Sequence, residues 1–408
     1  MTYFALVGNT HALDGDLAKK LEKHTSDVEK QVIAWRRDVH QNPELGNREF
    51  RTAKLVAEHL ISLGMEVKTG IAHTGVVGFL KGGKPGPLVA LRADMDALPV
   101  TEKVDLPFAS KAKTMYRGQE VGVMHACGHD SHVAILMGVA KIMAEMKDGL
   151  AGDVMFIFQP AEEGAPEGEE GGAELMVKEG IFKDRKPDAI FGLHVSSGIP
   201  AGVIGYRAGP AMAASDSFRI TVRGRQTHVA RPWNGVDPIV VTSQIVMGLQ
   251  TIVSRQTDIT AVPSIVSVGS MHAGVRSNII PDSAELWGTI RTYDDDIQKS
   301  IHDRIRQTAT SIAESAGATA DVEISIGYPV THNNEALTAQ MLPTLQNVAG
   351  EGRLIELPLI TGAEDFSFFQ REVPGLFIFL GVTPPDQDIS KAASNHSPYF
   401  FIDESALP

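Results

Sequence analysis

The sequence predicts an α/β protein: a mixed sheet covered by helices and interrupted by an inserted βαββαβ unit of ferredoxin-like type. Three observations point there. Short apolar runs bounded by Gly, Pro or Lys recur between stretches of helical period. Residues 217–328 carry their own sequence of strands and helices. After them a buried-strand pattern resumes at Leu376–Val382.

Helical spacing starts at Ser26, where Val28, Val32, Trp35 and Val39 recur every three or four residues. Ala53, Val56, Ala57 and Leu60 repeat it to about Met65, and Asn42-Pro43 separates the two helices. Beyond Gly64 the period changes. Gly75–Leu80, Leu88–Ala93, Val154–Gln159 and Ala189–Val195 read as buried strands. Among them, His132–Met146 sets Val133, Leu136, Met137, Ala140 and Ala144 on one helical face. The inserted unit opens with the alternating strand Phe218-Arg219-Ile220-Thr221-Val222. A helix from Asp237 to about Gln256, strands at Ser264–Ser270 and Ala284–Thr292, a helix from Asp294 to about Ala316 and a strand at Ala320–Ile326 follow. The expected domains are a discontinuous one, 1–212 with 329–408, and an inserted one, 213–328. Insertion requires the two ends of the inserted piece to lie close together. Gly164–Gly172 reads as a solvated Gly- and Glu-rich loop, and no solenoid repeat is visible.

Composition narrows the function. The 408 residues allow two or three domains, and an apolar share of 43% with 21% charged excludes disorder as the main state. A net charge of −13 argues against nucleic acid as a partner, because phosphate binding needs a basic face. The single cysteine, Cys127, excludes an internal disulfide framework. No run reaches the roughly 18 apolar residues of a membrane span, so no membrane association is expected. Tyr3–Gly8 is briefly apolar and Thr10-His11-Ala12 resembles a cleavage stub, but a basic leader and a full apolar core are lacking. A cytoplasmic location is expected, with the periplasm or secretion as the alternative if this is a trimmed signal peptide.

The chemistry gathers at strand ends. Asp94-Met95-Asp96 follows one predicted strand, Pro160-Ala161-Glu162-Glu163 follows another, and His194 lies near the end of a third. Ligands of open α/β sheets collect outside the carboxyl ends of strands, so these clusters can converge. A fourth cluster, His125-Ala126-Cys127-Gly128-His129-Asp130, sits just before a helix. Cys, His and carboxylate are the ligand types of zinc and its first-row neighbours. Taken singly, each has a simpler reading. His194 would be a hydrogen-bonded structural histidine, Glu162-Glu163 a solvated pair, and Cys127 a small buried hydrophobe. Together they favour a cation, since carboxylates buried beside apolar strands are costly without one.

The blocks Leu91–Pro99 (LRADMDALP), Met124–Asp130 (MHACGHD) and Gln159–Gly164 (QPAEEG) carry a resemblance. So do Asn278–Asp282, Gly288–Arg291, Gly362–Ser367 and Asn395–Ser397. In this order, from about Val28 to Asp403, the chain resembles the amidohydrolase branch of the zinc aminoacylase/carboxypeptidase superfamily. That branch includes hippurate hydrolases, N-acyl-amino-acid amidohydrolases and auxin-conjugate hydrolases. The resemblance implies a centre of two divalent metals held by Cys127, His129, Glu163, His194 and His396, with Cys127 as bridge. Zinc, manganese, cobalt and nickel all tolerate such ligands. It further implies Glu162 as general base and Asp96 as a residue that orients a ligand. The inserted domain would be a lid and dimerisation domain, making the protein a homodimer. Its His228 would help hold the scissile carbonyl oxygen, and Asn278 and Arg291 would grip the substrate carboxylate, with Gly362 placed beside them as substrate-binding. Three departures stand out. Trp233 replaces a frequent second histidine, Ser131 stands where threonine is usual, and the chain stops at Pro408 where relatives continue through a final helix.

Physical chemistry says why such parts suit amide hydrolysis. Two metals about 3.5–4 Å apart can share a water, lower its pKa and polarise a carbonyl. If Glu162 and Glu163 lie on an extended segment, they point to opposite sides, leaving Glu162 free to shuttle the proton. An arginine fork at Arg291 fits a free carboxylate. The expected activity is therefore hydrolysis of N-acyl-L-amino acids, N-acetyl or N-aroyl, to a carboxylic acid and an amino acid. A dipeptidase or carboxypeptidase on the same site is the alternative. Two further readings are Cys127 as a thiol nucleophile with His129 as base, and a non-catalytic binding protein. The thiol enzyme would succumb to iodoacetamide and survive chelators; the binder would hold acyl amino acids without turning them over.

Overall fold

A computed structural model describes residues 15–408. The stretch from Tyr3 to Ala12 that bears on a leader lies outside the described residues. The chain divides into two compact units.

The first unit runs to Gly209 and adds His332–Pro358 and Phe368–Pro408. Its sheet strands are β1 Glu66–Ile71, β2 Gly75–Leu80, β3 Lys84–Asp94, β4 Ala151–Gln159, β5 Ala189–Pro200, β6 Ile204–Tyr206, β11 Leu354–Glu356 and β12 Gly375–Thr383. The spatial order is β1-β2-β4-β3-β5-β12-β6-β11. The four central strands, β4, β3, β5 and β12, are mutually parallel, whereas β2 joins β4 and β6 joins β12 in antiparallel fashion. The sheet is thus mixed. Strands at its centre are covered on both faces and read as near-continuous apolar runs, as Val154–Phe158 does.

Helices α2 Phe50–Ser62 and α3 His129–Glu145 pack on this sheet, and α1 Gly15–Gln41 packs on α3. Val56, Leu60, Val76, Val133, Met137, Phe156 and Phe158 form one buried cluster. Val28, Val32, Ala134, Val195, Val382 and Phe400 form another. Each fully buried side chain of this size contributes about 1.5–3 kcal/mol as an upper estimate. Helix α3 begins earlier than the apolar period suggests, because Gly128 caps it with φ of 94°. A side chain at Gly128 would meet Val195 Cγ2 at 2.3 Å, so both the backbone angle and the space require glycine. The result is that His129 opens the helix against the sheet. A further helix that the sequence pattern does not announce, α6 Glu335–Ala349, is capped by Asn334, which accepts from Leu337 N at 2.9 Å.

The second unit holds Pro210–Thr331 and Leu359–Ser367. Its strands are β7 Ala214–Arg223, β8 Ile265–Ala273, β9 Ser283–Thr292 and β10 Thr319–Tyr328, with helices α4 Pro238–Gln256 and α5 Asp295–Ser315. The strand order is β8-β9-β7-β10, antiparallel throughout. Alternate residues Phe218, Ile220 and Val222 are buried with Val241, Ile245 and Leu249 of α4 and Ile301, Ile305 and Ala309 of α5. Asp237 accepts from Ile239 N and Asp294 from Ile297 N, so each helix starts at a capped aspartate. One boundary differs from the expectation that 329–408 forms a single stretch of the first domain. Leu359–Ser367 groups with the second unit, because Ala213 N donates to Ile360 O and Gly362 O and Ile360 N donates to Ala211 O. Among the described residues, no helix is long and apolar enough to cross a membrane.

Candidate metal centre

Parallel pairing sets Asp94, the last residue of β3, opposite Gln159, the last of β4. The Met95-Asp96 turn and the Pro160–Glu163 turn therefore leave the sheet side by side. His194 lies in the next strand, though not at its end, since β5 continues to Pro200. Cys127 and His129 flank the Gly128 cap. His396 arrives from the far end of the chain, held by a bond from its own N to Ala126 O at 2.8 Å. Asn395 knits this corner together: its Nδ2 donates to Cys127 O at 3.0 Å and Val195 O at 3.1 Å.

Among several ligand-like groups that result, Asp94–His129–His132 and Asp94–Glu162–Glu364 included, two are the triads Cys127–His129–His194 and Cys127–Glu163–His396, each with its donor atoms within 4.8 Å of one another. They share Cys127. Its Sγ lies 3.3 Å from His194 Nε2 and 3.2 Å from His396 Nε2, and His396 Nε2 lies 2.9 Å from Glu163 Oε1. Glu162 and Glu163 also form a group with His129.

Tautomers follow from the partners. His194 Nδ1–H donates to Val195 O at 2.7 Å, which leaves the Nε2 lone pair facing Cys127. His129 Nδ1–H donates to Asp96 Oδ1 at 3.2 Å, and Asp96 Oδ2 accepts from Glu163 N at 3.0 Å. Asp96 thus orients one triad and fixes the backbone of the other. His129 Nε2 is buried with no hydrogen-bond partner. A buried ring nitrogen in that state fits a metal ligand.

Electrostatics agree. Burial, aided by the nearby His132, holds His194 well below the usual histidine range, so the ring is neutral. Burial raises the Cys127 thiol. His396, bonded to Cys127 and Glu163, is pushed up to about 10. Burial opposes charge on Glu163, but its bond to His396 brings it below the ordinary value. For His129 burial favours the neutral ring, and the Asp94 and Asp96 carboxylates outweigh it, raising the group well above its ordinary value. These protons occupy atoms that a divalent ion would take.

Several participants carried no role in the sequence reading. Arg92 Nη1 bonds Asp94 Oδ2 at 2.7 Å, and His132 Nδ1–H donates to Asp94 Oδ1 at 2.5 Å while Val195 N donates to His132 Nε2 at 2.9 Å. The i, i+3 pair His129 and His132 on α3 was the available signal. Asp130 points elsewhere, to Arg36 at 2.7 Å and His40 at 2.9 Å. The two glutamates do not lie on the extended segment that the sequence suggests. Glu162-Glu163 forms a turn, not an extended segment, because Ala161 is left-handed at φ of 50°. Both carboxylates reach His129, so opposite orientation does not separate them. Membership of a Cys127 triad does: Glu163 has it and Glu162 does not.

His228, Asn278, Arg291 and Gly362 belong to the second unit. His228 sits on a two-residue strand opposite Ile279, with Asn278 O accepting from Val229 N at 3.2 Å. Its Nδ1 accepts from Ala230 N at 3.0 Å, placing the proton of the neutral ring on Nε2. Arg291 bonds Thr289 Oγ1 and, at 2.9 Å, Ile290 O.

Against known proteins, the model of peptidase family M20/M25/M40 matches residues 90–408. The chain belongs to this family. A Saccharolobus solfataricus protein called thermostable carboxypeptidase 2 is 42% identical over 394 residues, 96% of this chain and 95% of the relative. An N-acetyl-L-cysteine deacetylase of Bacillus subtilis is 38% identical over 384 residues, 94% of this chain and 86% of the relative. Among solved structures, the B. subtilis YXEP protein, described as a dinuclear metal-binding M20 peptidase, superposes with a TM-score of 0.78. It is 33% identical and covers 94% of this chain and 95% of its own. This M20 chain is accordingly a metal-dependent hydrolase acting on amide bonds.

Proposed function

We propose that this M20-family hydrolase cleaves N-acyl-L-amino acids, N-acetyl or N-aroyl, into a carboxylic acid and a free amino acid. The observation that carries the reading is the pair of donor triads sharing Cys127. Cys127, His129 and His194 would hold one divalent ion, and Cys127, Glu163 and His396 a second. Bound there, the ions supply a lowered pKa for water and polarisation of the carbonyl. Asp96 holds His129 in the tautomer that offers Nε2. Glu162, outside both triads but with Oε2 at 3.9 Å from His129 Nε2, takes a proton from the attacking water and passes it to the leaving amine.

The second unit, βαββαβ in order, serves as a ferredoxin-like lid and dimerisation domain of a homodimer. His228 donates from Nε2 to the developing oxyanion, Arg291 and Asn278 bind the α-carboxylate, and Gly362 lines that subsite. A relative named as a deacetylase of N-acetyl-L-cysteine supports the acyl-amino-acid substrate. The 42% identical relative named as a carboxypeptidase supports the second reading, a peptide in place of the acyl conjugate. The deciding experiment compares turnover of N-acetyl, N-benzoyl and dipeptide substrates after chelation and reloading with zinc, manganese, cobalt or nickel. Faster turnover of the acyl amino acids is expected. Turnover of dipeptides alone would overturn the acyl-amino-acid reading.

A further inference from the structure

The turn that carries Glu162 and Glu163 begins at Ala161, whose φ of 50° is left-handed, a region an L-residue holds only when its surroundings impose it. What imposes it comes from a segment with no assigned role, Glu44–Thr52. Glu49, fully buried, accepts the Ala161 N–H on Oε1 at 2.8 Å, while the Thr74 hydroxyl bonds its Oε2 at 2.5 Å. Gly46 packs on the same turn: a Cβ there would meet Gly164 O at 3.0 Å and Ala161 Cβ at 3.1 Å. The segment also reaches the other turn of the centre, because Ala97 N donates to Glu44 O at 2.8 Å. Farther along, Asn47 Nδ2 donates to Glu170 O at 3.0 Å. One short stretch therefore touches the turn bearing Asp96 and the turn bearing both glutamates.

We infer that Glu49 is a positioning residue for catalysis: its hydrogen bond holds Ala161 left-handed and so places Glu162 and Glu163 at the centre. The inference rests on the roles proposed above for those two glutamates. Holding requires an acceptor at Oε1, not a negative charge. Burial, and next the neighbouring Asp96, push Glu49 up to about 8, which is consistent with a neutral group in this place. Glutamine keeps an acceptor for Ala161 N–H and offers an amide to Thr74 Oγ1.

The experiment uses the metal-loaded full chain and whichever substrate it turns over best. Glu49→Gln should stay within about threefold of wild type, whereas Glu49→Ala should lose about 10²-fold in kcat, the scale of a misplaced catalytic group, with KM within about twofold. Glycine adopts positive φ without cost, so adding Ala161→Gly to Glu49→Ala should restore at least about tenfold of that loss. A Thr74→Val variant, milder and safer for folding, should lower kcat in the same direction. A Glu49→Gln loss equal to that of Glu49→Ala, or no recovery on adding Ala161→Gly, would overturn the inference. If Glu49→Ala fails to fold, Thr74→Val decides alone: unchanged kcat overturns it. Failure of the underlying roles shows separately, as a Glu162→Gln variant that retains activity.

Discussion

The Sγ of Cys127 lies 3.2 Å from Nε2 of His396, although 269 residues separate them in the chain. The contact joins the turn before α3 to the last loop of the first unit, and Asn395 secures it from both sides. Because Cys127 also meets His194, one sulfur is common to both donor triads, and that sharing makes the first prediction.

Cys127→Ala should lower bound metal more than the loss of any other single ligand, since both sites lose a donor. His396→Ala should remove metal chiefly from the triad containing Glu163. Elemental analysis after equal loading checks this; two ions per chain in both variants would contradict the assignment.

Glu162→Gln should keep its metal yet lose at least about 10²-fold in kcat, the lower range for removal of a general base. Glu163→Gln should lose metal. Parallel measurement of kcat and metal content distinguishes the two, and the reverse pattern would exchange their roles.

His228 lies in the second unit, and its Nε2–H is available as a donor. In a homodimer joined through that unit it should complete the partner's site. Mixing inactive His228→Ala with inactive Glu162→Gln under conditions of subunit exchange then yields one intact site per heterodimer. Activity should return toward half of wild type. No recovery despite proven exchange would place His228 in its own protomer's site.

Arg36 and Asp130 form a buried pair at 2.7 Å. Arg36→Met leaves the Asp130 carboxylate without its guanidinium and should cost about 3–5 kcal/mol in urea unfolding. Burial alone would raise Asp130, but Arg36 and His40 hold it well below the usual carboxylate range. A depressed group contributes stability above its unfolded pKa of about 3.9 and loses it as pH falls. The difference between wild type and variant should therefore shrink below about pH 4. A difference independent of pH down to 3 would contradict the pairing.

Local pattern was enough for most of the elements, although not for β1, β6, β11 or α6. Alternation at Phe218–Val222 and the apolar run at Val154–Gln159 mark strands whatever surrounds them, because burial on one face or two imposes those periods. The same kind of pattern led to the expectation of an inserted unit at 213–328, whereas the compact second unit holds Pro210–Thr331 and Leu359–Ser367. The motif blocks around Asp94, Cys127 and Glu162 also named the chemistry, since Cys, His and carboxylate together have few uses besides a metal. What no local pattern carries is direction and distance. Whether Glu162 and Glu163 diverge depended on the φ of Ala161, which the buried Glu49 imposes from 112 residues away. Which histidine nitrogen is free depended on Asp96 and the Val195 carbonyl, and the membership of Leu359–Ser367 depended on bonds to Ala211 and Ala213. Apart from the bond of His194 to the adjacent Val195 carbonyl, each was decided by hydrogen bonds between distant segments, and these exist only once the hydrophobic cores have brought those segments together.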